Sequence, residues 1–459
     1  MPASDSEILI VARYLKANNY TETYDAFVQE ADLPFDAGNV SKGDLTLEKL
    51  LDEKKNFDVA VKFEKLGLED SNEAWTKNAP STAHEVTGLP TSSNILSARV
   101  DSLQNDDGSS SSTLYASTAD RKFHLLDAST RTLQKTVSDL HDAPVLSSLQ
   151  LAKDRILTAS MSGQLYVSDP AGRILERRRD HTKYIVKIAA LVDDPSETYI
   201  ATAGWDNKIN LYKNDLGTGV EVGEPVAKIP MSSKPEAILF VRHPDNNRPV
   251  LLASRTDSSF IFYYSVEEEP HLLGKQNLAP HSNAWVAFTP SSFELCPTDP
   301  SLLAVGTSSI PHMKLLIVTL LFPPWEPQSA PAPVPSTRQA LLGEQPTETQ
   351  ASQARAALAI ADRESAAIKI HCTTLAPQTA YSTPAVAWRP DGSGVWVNGD
   401  DGAIRGIEAS TGKIVSTLKG HEPGTKVRCL WAGVVKNASD EKEVLVSGGF
   451  DHKLIVWEA

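Results

Sequence analysis

The chain has 459 residues, 41% of them hydrophobic, and 44 Lys+Arg against 58 Asp+Glu give a formal charge of -14. That length allows two to four domains, or one small domain beside a large repeat architecture, and the charge argues against a nucleic-acid-binding surface, which needs excess Lys and Arg. Three cysteines, Cys296, Cys372 and Cys429, form no CxxC pair, which argues against metal clusters and disulfide frameworks and for a reducing compartment.

The opening MPASDSEILIVARYL has no basic region followed by a long apolar stretch. The most apolar run, Leu315–Phe322, is shorter than the roughly 20 residues a bilayer requires. The expectation is a soluble chain, cytoplasmic and/or nuclear, with no membrane partner.

Residues 6–30 read as two short helices. Ser4 and Glu7 have capping-box spacing, and Ile8, Val11, Tyr14 and Leu15 recur at helical spacing. Asn18-Asn19-Tyr20 interrupts the pattern, and a second helix carries Thr23 and Phe27 to a stop near Pro34. Two helices of about a dozen residues bury too little surface to stand alone, and self-association is the simplest remedy. The segment resembles the LisH motif, with Tyr14-Leu15, Asn19-Tyr20, Thr23, Phe27 and Glu30 at its positions. Asn19 stands where the motif has glycine; Asn is the best substitute in a left-handed turn, so the turn is expected to survive. The resemblance implies a homodimer through a LisH motif at 1–34, using Ile8, Val11, Tyr14, Leu15, Tyr20, Thr23 and Phe27. A helical hairpin packed on the same chain is the other reading. Leu45 to Leu66 predicts one or two further helices, within a helical extension and linker at 35–80.

From residue 90 the chain repeats itself. ILTASMSGQLYVSD (156–169), IATAGWDNKINLYK (200–213), VWVNGDDGAIRGIE (395–408) and VLVSGGFDHKLIVWE (444–458) share an apolar strand, a small-residue pair, a polar turn and a second strand. Segments 114–127, 251–265 and 302–318 follow the plan more loosely, and His141 and His181 open units 40 residues apart. The pattern resembles the WD40 repeat. The resemblance implies a mainly β fold: a seven-bladed WD40 β-propeller at 81–459, after the α-helical N-terminal module. First strands are expected near Ile95, Val145, Ile185, Ala237, Ser292, Ala385 and Val427. It also implies structural tetrads of His, Ser/Thr, Asp and aromatic. His421, Ser447, Asp451 and Trp457 match fully; His181, Thr202, Asp206 and Tyr212 match with Tyr for Trp; Ser162 and Ser168 degrade the second unit. The last unit lacks an outer strand, which residues around His84–Leu89 are expected to supply. A Pro-rich, then helical, insertion at about 323–363 breaks the rhythm of the fifth unit.

No nucleotide, zinc-protease or nucleophile-elbow motif occurs. No catalytic residue, metal, cofactor or small-molecule substrate is expected, and an enzyme with a propeller active site is a remote alternative. Arg177-Arg178-Arg179 with Lys183 is a marked basic cluster, read as a solvated strand and loop or as a site for an acidic peptide or a nucleic-acid backbone. The residue before the Asp position of each turn is Ala119, Met161, Trp205, Thr256, Asp400 or Phe450. Bulky apolar residues in turns point to a partner surface of Met161, Trp205 and Phe450, rimmed by Lys183, Tyr184 and Arg255; packing on neighbouring loops is the alternative. The expected function is a non-enzymatic, homodimeric scaffold or adaptor in a multiprotein complex, such as a ubiquitin-ligase or transcriptional assembly. The rival is a dedicated chaperone for a basic client protein.

Overall fold

A computed structural model describes residues 7–40, 44–51, 75, 77–104, 110–152, 154–194, 197–214, 222–280, 288–325, 350–436 and 441–459. The chain divides into two compact units, Met1–Asn72 and Glu73–Ala459.

In the first unit, helices α1 (Glu7–Ala17) and α2 (Thr21–Glu30) pair through Ala12, Tyr24 and Val28, with Leu15, Phe27 and Leu33 packed around them. Asn19 adopts φ +59° between them. This left-handed residue lets the Tyr20 N–H donate back to the Leu15 carbonyl at 3.0 Å, closing α1 as a glycine would. The Tyr24 hydroxyl donates to the Phe35 carbonyl (3.0 Å) and accepts the Gly38 N–H (3.1 Å), tethering the chain that follows α2. Arg13 is buried against Asp44 at 3.2 Å. Ser4 lies outside the described residues. Of the Leu45–Leu66 segment only 45–51 is described, with a helical turn at 47–51.

The second unit is built from seven antiparallel four-stranded sheets. Six use consecutive strands, spanning 95–137, 145–178, 185–230, 235–277, 289–377 and 386–419. Each first strand touches the first strands of both neighbouring sheets, and the sequence of contacts closes into a ring. This is a seven-bladed propeller. Inner strands are buried on both faces because each sheet is packed between two others; every residue from Ile200 to Gly204 is buried. Hydrogen bonds from second strands and the residue just after one pin blade to blade: Ser117 Oγ to the Val145 carbonyl (2.9 Å), Ser254 Oγ to the Pro290 carbonyl (2.7 Å) and Asn398 Nδ2 to the Val427 carbonyl (2.6 Å).

The seventh sheet takes its outer strand from the start of the unit. Thr82–Glu85 runs antiparallel to Leu454–Glu458, pairing Ala83 with Trp457 and His84 with Val456. The expected segment, His84–Leu89, overlaps this strand but begins two residues late. Val86 still donates to the Leu454 carbonyl at 2.9 Å, then turns inward to join the core between the seventh and first blades. Upstream, Trp75 packs on Trp396 with ring centroids 5.5 Å apart. Gly394 makes room for it: a Cβ there would lie 2.2 Å from the indole.

The insertion sits between the third and fourth strands of the fifth blade. Residues 326–349 lie outside the described residues, and helix α3 (Gln350–Ala367) leads directly into the strand Ile368–Pro377. Glu364 accepts the Asn277 N–H at 2.7 Å, fastening α3 to the fourth blade.

Charged groups from different blades meet at the ring's centre. Lys187, Glu294, Arg99 and Arg428 come from the third, fifth, first and seventh blades and act electrostatically on one another. Burial pushes Glu294 up to about 8, although the Trp388 N–H and the nearby cations oppose it. Burial likewise raises Glu236 to about 7.

Candidate protein-binding face

The His positions of the repeat form hydrogen-bonded clusters. In the seventh blade, His421 Nδ1 lies 2.9 Å from Asp451 Oδ2 and its Nε2 2.8 Å from Ser447 Oγ, which also accepts the Trp457 indole N–H at 2.9 Å. Burial lowers the His421 pKa against the pull of Asp451. Burial alone would raise Asp451, yet the Glu422 N–H and His421 hold it below the usual carboxylate range. In the third blade, His181 bridges Asp206 (2.9 Å) and Thr202 (2.8 Å). Here the fourth member departs from the expected pattern. The Tyr212 hydroxyl donates to Asp180 at 3.1 Å, and Asn210 Nδ2 approaches His181 Nε2 instead. A phenol carries its polar atom at the tip of the ring, beyond the strand where an indole N–H would find Thr202. In the second blade His141 meets Thr158 at 2.8 Å, stacks on Tyr166 and has no aspartate at Nδ1. Ser162 donates to Asp142.

These clusters place the turns between second and third strands. The backbone N–H groups of Ala119, Met161, Trp205, Thr256 and Phe450 donate to the carbonyls of Asn94, Pro144, Tyr184, Lys234 and Lys426, at 2.8–2.9 Å. Each acceptor is the residue just before its blade's first strand, so one bond repeats around the ring and fixes the side chain that follows. The turn then passes through a left-handed residue: Arg121, Gly163, Asn207, Asp257 and His452 all have positive φ. At Gly163 a Cβ would meet the His181 carbonyl at 2.4 Å, so only glycine fits there.

On this face Trp205 stacks with Tyr184, ring centroids 5.3 Å apart, and Lys234 Nζ lies 4.4 Å from the indole centroid. The Trp205 Nε1 is buried and has no hydrogen-bond partner among the described residues. Tyr184 and Phe450 remain exposed, at 38% and 37%, while Met161 and Arg255 are half-buried. Trp205 is thus partly covered by its neighbours, and Tyr184 presents the open edge of the stack. Lys183 is exposed. Lys234 escaped the sequence reading because its contact with Trp205 crosses from one blade to the next. Of the basic cluster, Arg178 pairs with Asp180 and Glu224 at 2.8 Å each and Arg177 lies over Tyr166, while Arg179 stays exposed.

In the first unit, Ile8, Val11 and Tyr20 are exposed at 42%, 41% and 51%, Thr23 is exposed, and Tyr14, Leu15 and Phe27 are half-buried. The buried side of α1 is instead Ile10, Ala12 and Arg13. The motif's apolar residues therefore divide between the helix pair's own core and an uncovered stripe.

Among the described residues no group of three or more His, Cys, Asp or Glu could hold a metal ion, and no helix is long and apolar enough to cross a membrane. No curated protein matches the sequence. Two family models do: the UCP007778 LisH domain over residues 8–39 and the UCP007778 beta-propeller domain over residues 64–458. With a helical LisH segment, a closed ring of seven blades and a match over most of its length, the chain belongs to the UCP007778 family of LisH and propeller proteins.

Proposed function

We propose that the protein is a non-catalytic scaffold that dimerises through its LisH segment and captures protein partners on the turn-bearing face of the propeller, as a subunit of a multiprotein complex. The observation behind this reading is the Tyr184–Trp205–Lys234 stack with exposed Phe450. It places aromatic surface and one cation on a face whose turns are held by repeated backbone bonds. Aromatic anchors on a rigid base are the usual core of a protein-binding surface. Affinity purification with the wild-type chain and with Trp205→Ala/Phe450→Ala tests it. Partners should be lost while the melting temperature stays within a few degrees. Partners retained, or a large fall in melting temperature, would assign these side chains to packing.

The charge of -14 favours one rival, escort of a basic client. Ionic strength separates the two. Capture by a diffuse acidic surface weakens steeply with added salt, whereas capture by an aromatic patch changes little.

A further inference from the structure

The fourth and fifth blades leave a cleft between them of about 630 Å³. One wall is the end of the second strand, the turn and the third strand of the fourth blade, with Arg255, Asp257, Phe260 and Phe262; Lys275 borders it, and Phe288 begins the opposite wall. Its cations rest on rings. The Arg255 guanidinium lies 5.3 Å from the Phe262 centroid, and Lys275 Nζ lies 4.7 Å from that of Phe260. The two rings are themselves 6.3 Å apart.

Among the described residues, neither Arg255 nor Lys275 has a carboxylate within ion-pair distance. In a chain with 58 acidic residues against 44 basic ones, two neighbouring cations held on aromatic faces form a local reversal of sign. Asp257, on the same wall, pairs with neither, and Glu364 is engaged by the Asn277 N–H. The arrangement continues beyond the cleft. Arg255 donates to Ser233 Oγ at 3.3 Å, Ser233 donates to the Thr256 carbonyl, and the next residue, Lys234, covers Trp205. A run of aromatic and cationic side chains thus extends from Tyr184 to Lys275.

We propose that this cleft is the docking site for an acidic peptide segment of a partner protein, whose carboxylates pair with Arg255 and Lys275. The inference rests on the protein-binding reading above and gives that partner its chemistry. A carboxylate arriving here makes charge-assisted hydrogen bonds with cations already desolvated on one side by the rings. A single nucleic-acid strand fits worse. Bases need bare ring faces, but Phe262 and Phe288 are only 9% and 5% exposed and Phe260 lies under Lys275.

Panning the full-length chain against displayed random peptides of about a dozen residues provides the test. The enriched peptides should be rich in Asp and Glu. Their affinity should fall about tenfold or more in Arg255→Glu/Lys275→Glu and stay close to wild type in the charge-conserving Arg255→Lys/Lys275→Arg, each tenfold step corresponding to about 1.4 kcal/mol. Enrichment of peptides no more acidic than the starting pool would overturn the proposal. So would affinity unchanged by charge reversal, or equal competition by single-stranded oligothymidylate. Co-purified partners lost from Trp205→Ala/Phe450→Ala yet kept by the charge-reversed variant would leave the scaffold reading standing and remove the cleft from it.

Discussion

His141 occupies the place that His181 and His421 hold in their blades, but Ser162 stands where an aspartate would face its Nδ1. Burial lowers its pKa to about 4, with Gln164 and Asp142 nearby opposing the shift. The folded state therefore refuses a proton that the unfolded chain accepts below about 6.5. Stability owed to this neutral histidine is intact above pH 6.5 and drains away as pH falls toward 4. In His141→Gln that drain disappears. The wild-type advantage in unfolding free energy, followed by denaturant titration, should shrink with acidification at up to about 1.4 kcal/mol per pH unit between 6.5 and 4. A gap independent of pH would mean that His141 titrates normally. At this scale the sequence was legible where partners recur at fixed spacing, as with His421, Ser447, Asp451 and Trp457. Asn19 too was legible, since a left-handed turn has few candidate residues. Spacing could not show Tyr212 reaching Asp180, nor Lys234 on Trp205 and Lys275 on Phe260, because those contacts depend on how strands and blades lie side by side.

The closing strand shows what an element owes to its position. Thr82–Glu85 is the outer edge of its sheet and is mostly exposed, so it carries no alternating apolar pattern to fix its ends, and the sequence placed it two residues late. The seven first strands, by contrast, were readable because each precedes a second strand buried on both faces. Backbone pairing does the work that side chains do elsewhere. The Val86 N–H bond to Leu454 sets the antiparallel alternation, and two residues earlier His84, opposite Val456, falls in the next hydrogen-bonded pair. Proline at position 84 removes that donor. We expect His84→Pro to lower the melting temperature by several degrees, at about 2–4 °C per kcal/mol lost, and His84→Ala to leave it nearly unchanged. Equal effects from the two variants would show that the side chain, not the strand, matters.

For the whole molecule, the LisH stripe and the propeller face answer different needs. Ile8 and Val11 are each more than two-fifths exposed beside a helix pair whose small core, among the described residues, centres on Ala12, Tyr24 and Val28. Ile8→Glu/Val11→Glu should convert the proposed dimer to a species with the mass of one chain in sedimentation equilibrium, leaving the propeller's melting unchanged. Loss of partners in step with the dimer would show that capture relies on two linked sites rather than one strong one. A wild-type chain sedimenting as a monomer would remove dimerisation from the proposal. The ring was legible from its roughly forty-residue beat, whereas the charges gathered on its axis were not, since they come from the first strands of four different blades. The seam of that ring has a consequence for biosynthesis. Strand 82–85 leaves the ribosome about 370 residues before the strand it must pair with, an interval of roughly 20–75 s at typical elongation rates. Until residues 454–458 emerge the ring cannot close, and strand 82–85 lacks the partner it has in the finished fold. Any factor that shields β edges during translation has its longest opportunity here, and a stalled ribosome would strand the protein in its most adhesive form.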